Sequence, residues 1–291
     1  MRNNFTLFFL LLFIGTANAQ YFDAGVFVGT VNYQGDLSKS RFEPTEYNFA
    51  CGGFLRYNAT PHLSAKFMVN GGKVTGSDVF SGQRERNFNF NSIIIEAGVQ
   101  GEYSLLDLKI LDGGHIISPY FFAGLSGFYF NPRAEYRGSM VELRPLGTEG
   151  QGLEGYRDIY SNFSVAVPFG LGFKTAIHRT STVGFELGFR KTFTDYLDDV
   201  SGYYPDQEEL YAARGGLATA LSYRGHEYDR NAPRTPGNGL RGNPQYSDWY
   251  FFGGVTLSIN LPGGNKSFGK YPPNARSRSQ RFHSQNPWYG F

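Results

Sequence analysis

The chain has 291 residues, a formal net charge of +2, one cysteine, and 17% aromatic residues that include 28 Phe and 20 Tyr. The near-neutral charge gives no case for a nucleic-acid partner, and a single cysteine excludes an intrachain disulfide. A soluble core does not usually need so many rings, whereas the lipid-facing band and aromatic girdles of a membrane β-barrel do.

The N-terminus has the pattern of a secretory signal. Arg2 precedes an apolar run at 5–14, and Ala17-Asn18-Ala19 follows as a small-x-small cleavage site. The apolar run is shorter than the ~20 residues that a membrane-spanning helix needs. We therefore expect residues 1–19 to be a cleaved signal peptide and the mature chain to begin near Gln20.

The next segments alternate apolar and polar side chains with a period of two, which is the pattern of β-strands. They cover residues 22–29, 47–57, 63–70, 91–103, 118–130, 163–177, 183–194 and 249–261. Most have about ten residues or more, which suits a tilted membrane crossing better than the ~5–6 of globular strands. Segment 118–130 is aromatic on both faces, so its inward side stays unassigned.

The connections between these segments alternate in length. They are long at 32–45, short at 58–61, long at 73–89, medium at 105–116, long at 132–160, short at 178–181 and very long at 196–247. Long extracellular loops alternate with short periplasmic turns in outer-membrane barrels. The sequence thus predicts an all-β, eight-stranded antiparallel transmembrane β-barrel over residues 20–261. We expect it in the bacterial outer membrane, surrounded by lipid, with both mature termini in the periplasm.

The polar face of the predicted strands carries charges whose signs balance. Counting from the short turns, we expect three ion pairs across adjacent strands, Asp23 with Arg56, Lys66 with Glu102, and Lys174 with Glu186, because unpaired buried charges are costly. Glu96 and Arg190 also face inward. Side chains fill the interior of an eight-stranded barrel, which argues against a diffusion porin. A small channel or ligand-uptake barrel remains the alternative.

The sequence offers little for catalysis or metal binding. No two of its five histidines have metal-ligand spacing. Ser222, His226 and Asp229 form a local grouping of the catalytic-triad type, but chance supplies such a trio easily in a long polar loop. We therefore expect no enzyme activity, no catalytic residue, no metal site and no cofactor. Cys51 is expected to be a small lipid-facing residue rather than a reactive thiol.

The longest loop contains an acidic stretch made of Asp195, Asp198, Asp199, Asp206, Glu208 and Glu209. These carboxylates could hold calcium, but they lack the regular spacing of a calcium loop, so we favour a solvated loop. Residues 206–222 could form a short surface helix with one apolar side. That side would carry Leu210, Ala213, Leu217 and Leu221.

The end of the chain, residues 262–291, has a different composition. It has no Asp or Glu and contains five basic residues, Lys266, Lys270, Arg276, Arg278 and Arg281. Such a composition is typical of a flexible basic extension. Two interpretations stay open: a disordered end, or an arm that contacts an acidic partner.

A short motif near the start of the mature chain carries a family resemblance. Tyr33-Gln34-Gly35-Asp36-Leu37, which follows Asp23-Ala24-Gly25, resembles a family of Bacteroidetes outer-membrane barrels that includes PorG, a component of the type IX secretion system. The resemblance covers about residues 20–261. It implies a non-enzymatic barrel that organises secretion and gliding machinery, with periplasmic ring and lipoprotein subunits as partners. Gly35-Asp36 is expected to form a tight turn.

Overall fold

The computed structural model of the protein describes residues 21–261, except for 39–45, 107, 109, 112–113, 116, 179, 234–235 and 237–238. The predicted signal peptide lies outside the described residues. So does the basic tail with Lys266, Lys270, Arg276, Arg278 and Arg281. No helix within the described ranges is long and apolar enough to cross a membrane.

The described residues form eight long strands and three short ones. They are β1 (Tyr21–Gln34), β2 (Asn48–Asn58), β3 (Leu63–Ser77), β4 (Asn89–Ser104), β5 (Ile110–Leu111), β6 (Gly114–His115), β7 (Ser118–Tyr136), β8 (Ser139–Glu142), β9 (Phe163–His178), β10 (Ser181–Thr192) and β11 (Trp249–Asn260). Long strands that are neighbours in sequence pair antiparallel, and β11 pairs with β1 to close the cylinder. This confirms the predicted all-β, eight-stranded antiparallel barrel.

Several strands continue beyond the bounds that the sequence pattern indicates. β3 extends to Ser77 and β4 begins at Asn89, so a connection predicted as 73–89 shrinks to 78–88 and contains the one-turn helix α1 (Asp78–Ser81). β7 has 19 residues and folds back into β8. The apolar alternation fades in these extensions while the hydrogen-bond ladder continues, which is why the sequence pattern stops short.

The barrel wall has an apolar outside. Long apolar side chains project from it around its circumference and stay exposed: Phe49 is 67% exposed, Leu125 71% and Phe163 69%. Cys51 also lies exposed on this outer surface, as expected. The inward side chains are buried, which fits the period of two along each strand.

The structure assigns the two aromatic faces of β7, whose inward side the sequence leaves open. Tyr120, Phe122, Phe128 and Phe130 face the lumen and are at most 4% exposed. Phe121, by contrast, lies on the outer surface and is 53% exposed. One set of rings thus packs the interior, and the other belongs to the apolar wall.

The long connections meet at one end of the barrel, which we call the loop end. Their described residues in 35–38, 78–88, 143–162 and 193–248 form a compact cap. Its apolar core includes Leu37, Phe88, Leu197 and Val200 and is continuous with lumen residues such as Phe130. The short connections lie at the opposite end, which we call the turn end.

The cap contains α2 (Gln207–Arg214), α3 (Gly216–Ser222) and α4 (Gly225–Tyr228). The single helix suggested for 206–222 is therefore wrong, because the chain breaks at Gly215, whose φ is 80°. The break resets the helical phase. Leu210 and Leu221 are buried, whereas Ala213 and Leu217 are exposed.

Candidate functional site

The lumen contains a network of buried charges centred on Glu102 of β4. This carboxylate is fully buried and contacts three cations: Arg56 at 2.8 Å, Lys66 at 3.4 Å and Lys174 at 3.7 Å. Lys66 lies on β3, the neighbour of β4, whereas Arg56 on β2 and Lys174 on β9 reach Glu102 from strands that do not pair with β4. The three cations compensate the free-energy cost of burying this carboxylate.

The remaining lumen pairs extend the network around the barrel. Asp23 lies 3.7 Å from Arg56, and Glu186 lies 2.6 Å from Lys66. The hydroxyl of Tyr120 donates to Glu186 at 3.0 Å. Nearer the loop end, Arg190 and Glu96 form a separate pair at 3.2 Å.

One of the three expected pairs is not formed. Lys174 contacts Glu102 rather than Glu186, and Glu186 takes Lys66 of β3 as its cation. Counting pairs across adjacent strands misses this arrangement, because long side chains reach across an eight-stranded lumen. In the register of β9 and β10, Lys174 lies opposite Gly184, two residues away from Glu186.

Aromatic rings fill the space between these charges. The ammonium of Lys66 lies 5.4 Å from the ring centre of Phe122, and the guanidinium of Arg190 lies 4.7 Å from that of Phe252. The cavity beside Lys66, Glu186 and Arg190 measures about 10 Å³. That is about the space that a single water molecule needs. The middle of the lumen is therefore packed rather than open.

The motif that carries the family resemblance lies where β1 enters the cap. The hydroxyl of Tyr33 lies 2.5 Å from Asp198 Oδ2 and 3.1 Å from Asp248 Oδ1. A β-carbon on Gly35 would lie 1.9 Å from the same Asp248 oxygen and 2.1 Å from the Tyr33 hydroxyl. Glycine at this position therefore makes the contact between Tyr33 and the two carboxylates possible.

The other two motif residues fix the turn that follows. The Ser38 amide donates to Gly35 O at 3.1 Å, so the expected tight turn is present. Asp36 Oδ2 accepts from the Asn243 amide at 2.7 Å, and Leu37 is fully buried in the cap core. The motif thus connects the end of the first strand to the last loop of the barrel.

Two buried arginines hold the rest of the cap together. Arg86 pairs with Asp78 at 2.7 Å and donates to the carbonyl oxygens of Asp36 at 3.0 Å and Arg241 at 2.6 Å. Arg241 in turn contacts Glu149 at 3.1 Å and Asp199 at 3.6 Å. These contacts join the connections after β1, β3, β8 and β10.

Asp198, Asp199 and Asp248 are buried, so the expectation of a solvated acidic loop is wrong for the first two. Burial raises the pKa of Asp199 to about 6 despite the nearby Arg241, and it raises the pKa of Asp195 to about 7. Burial also raises the pKa values of Asp198 and Asp248 well above the ordinary range. The Tyr33 hydroxyl has one hydrogen, but it contacts the buried carboxyl groups of both Asp198 and Asp248. Protonation of one of these carboxyl groups supplies a second hydrogen for the contact.

The acidic residues Asp206, Glu208 and Glu209 are exposed, as a solvated loop requires. Asp206 has a local role, because its side chain accepts from the amides of Glu208 and Glu209 and caps α2. Within the described part of the chain, no group of three His, Cys, Asp or Glu side chains is placed to hold a metal ion.

The suspected trio of Ser222, His226 and Asp229 is not assembled. The Ser222 hydroxyl is buried and accepts from Gln207 at 3.4 Å. The exposed His226 ring packs beside Tyr223, with 6.2 Å between ring centres, and Asp229 accepts from the Asn231 amide. Among these described residues, no hydrogen bond links any two members of the trio.

The sequence does not indicate that several of the cap residues are buried. Arg86, Glu149, Arg241 and Asp248 lie in loops without periodicity, so nothing marks them as buried. One signal was available: glycines recur at 147, 150, 152 and 155 in a Gly-x-x-Gly-x-Gly-x-x-Gly pattern. Such spacing indicates successive tight turns around Glu149, and all four glycines have positive φ.

The comparisons with known proteins give a family. A family model described as a domain of unknown function (DUF6089) matches residues 2–221. No curated protein matches the sequence.

Among solved structures, the attachment invasion locus protein Ail of Yersinia pestis is similar, with TM-score 0.40, 4% identity, 84% of this chain covered and 99% of that one. Neisserial surface protein A has TM-score 0.37, 8% identity and coverages of 82% and 97%. Both similarities are too distant to indicate a function.

Proposed function

We propose that this chain, which belongs to the DUF6089 family, is a bacterial outer-membrane barrel that anchors partner proteins instead of conducting solutes. The loop end would face outward, and the turn end, with both mature termini, would face the periplasm. The finer assignment is an accessory role in type IX protein secretion and gliding. It rests on the resemblance carried by Tyr33, Gly35, Asp36 and Leu37.

The exposed apolar wall supports the membrane assignment. Leu125, Phe163 and Val165 are 57–71% exposed on the outside of a closed barrel. A soluble protein rarely leaves an apolar surface of this extent uncovered, whereas lipid covers it at no cost. Closure of β1 on β11 also removes the sheet edges that a bilayer cannot satisfy.

The sealed lumen is the observation that carries the anchoring role. Its charges are paired, its aromatic rings pack between them, and the cap covers the loop end. Among the residues that the structure describes, such an interior offers no aqueous path of the kind found in porins. The alternative, a small channel or uptake barrel, would need this network to open. We likewise propose no enzyme activity, since the triad-like residues lie apart.

The deciding experiment is a crosslinking pull-down from native outer membranes. It compares the full chain with a chain truncated after Leu261 and with a full-length control in which the five basic tail residues become Gln. Recovery of periplasmic ring or lipoprotein subunits with the full chain would support the secretion role. Loss of these partners in both variants would assign the contact to the charge of the tail.

Planar bilayer recordings separate the anchor from the channel. The purified full chain should give no stable, ion-selective conductance. If it conducts, the sealed-lumen argument fails. If it neither conducts nor recovers periplasmic partners while the barrel folds in the membrane, the secretion assignment is wrong and the cap becomes the place to look for function.

A further inference from the structure

An open cleft lies on the surface of the cap, between segments 149–157 and 196–204. Its volume of about 180 Å³ corresponds to about six waters at roughly 30 Å³ each. The side chains of Tyr156, Tyr196, Tyr203 and Tyr204 line it. Ligand sites typically combine such aromatic walls with a few placed polar groups.

Glycines fix the shape of one wall. Gly150 and Gly152 have φ values of 79° and 83°, in the left-handed region that favours glycine. A β-carbon on Gly150 would lie 2.5 Å from the ring of Tyr156. The backbone therefore makes room for this ring, and the cleft is formed before any ligand arrives.

Two polar groups beside the cleft have unused hydrogen-bonding capacity. Gln151 is 2% exposed, and its Oε1 accepts from the Glu149 amide at 2.9 Å, which fixes the carboxamide and leaves Nε2 without a partner among the described residues. Glu149 Oε2 accepts from the Gly202 amide at 3.1 Å and can take a further donor. A buried donor without a partner is costly, so a ligand acceptor beside Gln151 would be favoured.

The charges beside the cleft narrow the ligand class. A free anion would meet the carboxylate of Glu149. A cation has no acceptor to offer Gln151, and the guanidinium of Arg157, which lies 3.4 Å from the Tyr196 hydroxyl, would repel it. A sugar hydroxyl both donates and accepts, so one such group can satisfy Gln151 and Glu149 together. The C–H face of a sugar ring also packs well on a tyrosine ring.

We propose that this cleft binds a neutral hexose unit of a saccharide. The volume fits a single ring, and the donor and acceptor beside the cleft fit adjacent hydroxyl groups. This binding function goes beyond the anchoring role and does not depend on it, because it requires only a folded cap.

The test uses the full chain purified in a detergent without a sugar headgroup. Saturation-transfer NMR titrations with the methyl glycosides of glucose, galactose and mannose should detect at least one ligand, with a Kd on the order of millimolar. Gln151→Glu keeps the acceptor for the Glu149 amide but removes the donor, so binding should weaken about tenfold or more. Tyr203→Ala, at a 62% exposed position, should weaken binding while leaving the cap core intact.

Tyr211→Ala is the matched control, because Tyr211 is 63% exposed and lies outside the cleft. Its sugar titration should equal that of the parent chain. If Gln151→Glu disrupts the cap, Tyr203→Ala decides. The proposal is overturned if none of the three glycosides binds a protease-resistant cap, or if the Tyr203 and Tyr211 variants behave alike. It is equally overturned if choline binds the cleft and displaces every sugar, which would make it a cation site.

Discussion

The phenol of Tyr33 reaches Asp198 at 2.5 Å although 165 residues separate them in the chain. The same hydroxyl lies 3.1 Å from Asp248. The end of the first strand and both ends of the longest loop therefore meet at one oxygen atom. This contact therefore ties both ends of the longest loop to the first strand.

Replacing Tyr33 with Phe removes the hydrogen that the two buried carboxyls share. We expect the cap to lose about 1–3 kcal/mol, the usual cost of a buried polar group left without its partner. Hydrogen exchange at residues 196–201 should accelerate, while the barrel strands keep their protection. Tyr211→Phe, at an exposed position, is the control. Unchanged exchange in the Tyr33 variant would show that the hydrogen bond contributes nothing.

The cap should also respond to pH. Burial raises the pKa of Asp195 to about 7, with Asp36 and Glu149 adding to the shift and Arg157 opposing it. Both this value and the pKa of about 6 for Asp199 exceed the ordinary 3.8. The folded cap therefore binds protons more tightly than the unfolded segment.

The stabilisation from these two groups is complete below about pH 4 and is lost as pH rises through 6 and 7. Exchange rates in the cap, corrected for intrinsic pH dependence, should thus increase between pH 5 and pH 8. Asp195→Asn should flatten this dependence, while Asp206→Asn at the exposed helix cap should keep it. A profile that rises in stability with pH would contradict the assignment.

Glu102, which contacts three lumen cations, allows a test of how far the charge network stabilises the barrel. Glu102→Gln leaves Arg56, Lys66 and Lys174 without their shared carboxylate, which should destabilise the barrel by about 3–5 kcal/mol. Glu142→Gln is the matched control, because its pair with Arg133 is 41–47% exposed and should contribute about 0–1 kcal/mol. Urea unfolding of the refolded barrel compares the two variants. Equal midpoints would mean that the lumen network does not hold the barrel together.

The Gly35 position tests the geometry of the motif. An alanine there would place its β-carbon 1.9 Å from Asp248 Oδ1, so either Tyr33 or Asp248 must move. We expect a loss of about 1–3 kcal/mol, as for other overpacked sites, and faster proteolysis of the cap. Gly101→Ala adds a β-carbon with no contact closer than 3.9 Å and should leave proteolysis unchanged. If both variants resist the protease equally, the close approach is not required.

A charged substitution on the outer wall tests whether this wall faces lipid. Leu125→Arg places a cation at the middle of the outer face of β7, where insertion should cost about 2–4 kcal/mol. Leu217→Arg is the control, since Leu217 is 41% exposed but belongs to the cap. Insertion into vesicles, followed by the heat-dependent gel shift of folded barrels, should fail or slow for Leu125→Arg alone. Equal insertion would argue against a membrane location for this wall.

Much of the barrel could be predicted from the sequence because period-two alternation is a local signal. In β1, Val26 and Val28 point outward and Asp23 points inward, as the alternation of side chains along a strand requires. The inward face of β7 could not be read, because Phe121 and Phe122 look alike in sequence and only closure of the barrel distinguishes them. Pairing in the lumen was predicted only in part, since Lys174 can reach across to Glu102.

The cap could not be predicted, because its contacts have no period. Asp198 and Asp206 belong to one acidic stretch, yet the first is buried under Tyr33 and the second caps an exposed helix. What separates them is the position of other loops, which depends on the closed barrel. The motif identifies Asp36 in the sequence. It does not reveal the partner of Asp36, the Asn243 amide, which is 207 residues further along the chain.

These long separations bear on the order in which the molecule assembles. The seam joins β1 to β11, the first and last strands of the described chain, and the cap bonds of Tyr33 and Asp36 connect the same two ends. Contacts between distant parts of a chain form late in folding, because the loop they close is long. A partly folded barrel with an open seam would therefore have no cap. A folded cap therefore indicates that β11 has paired with β1, and its protection from exchange can serve as a marker of barrel closure.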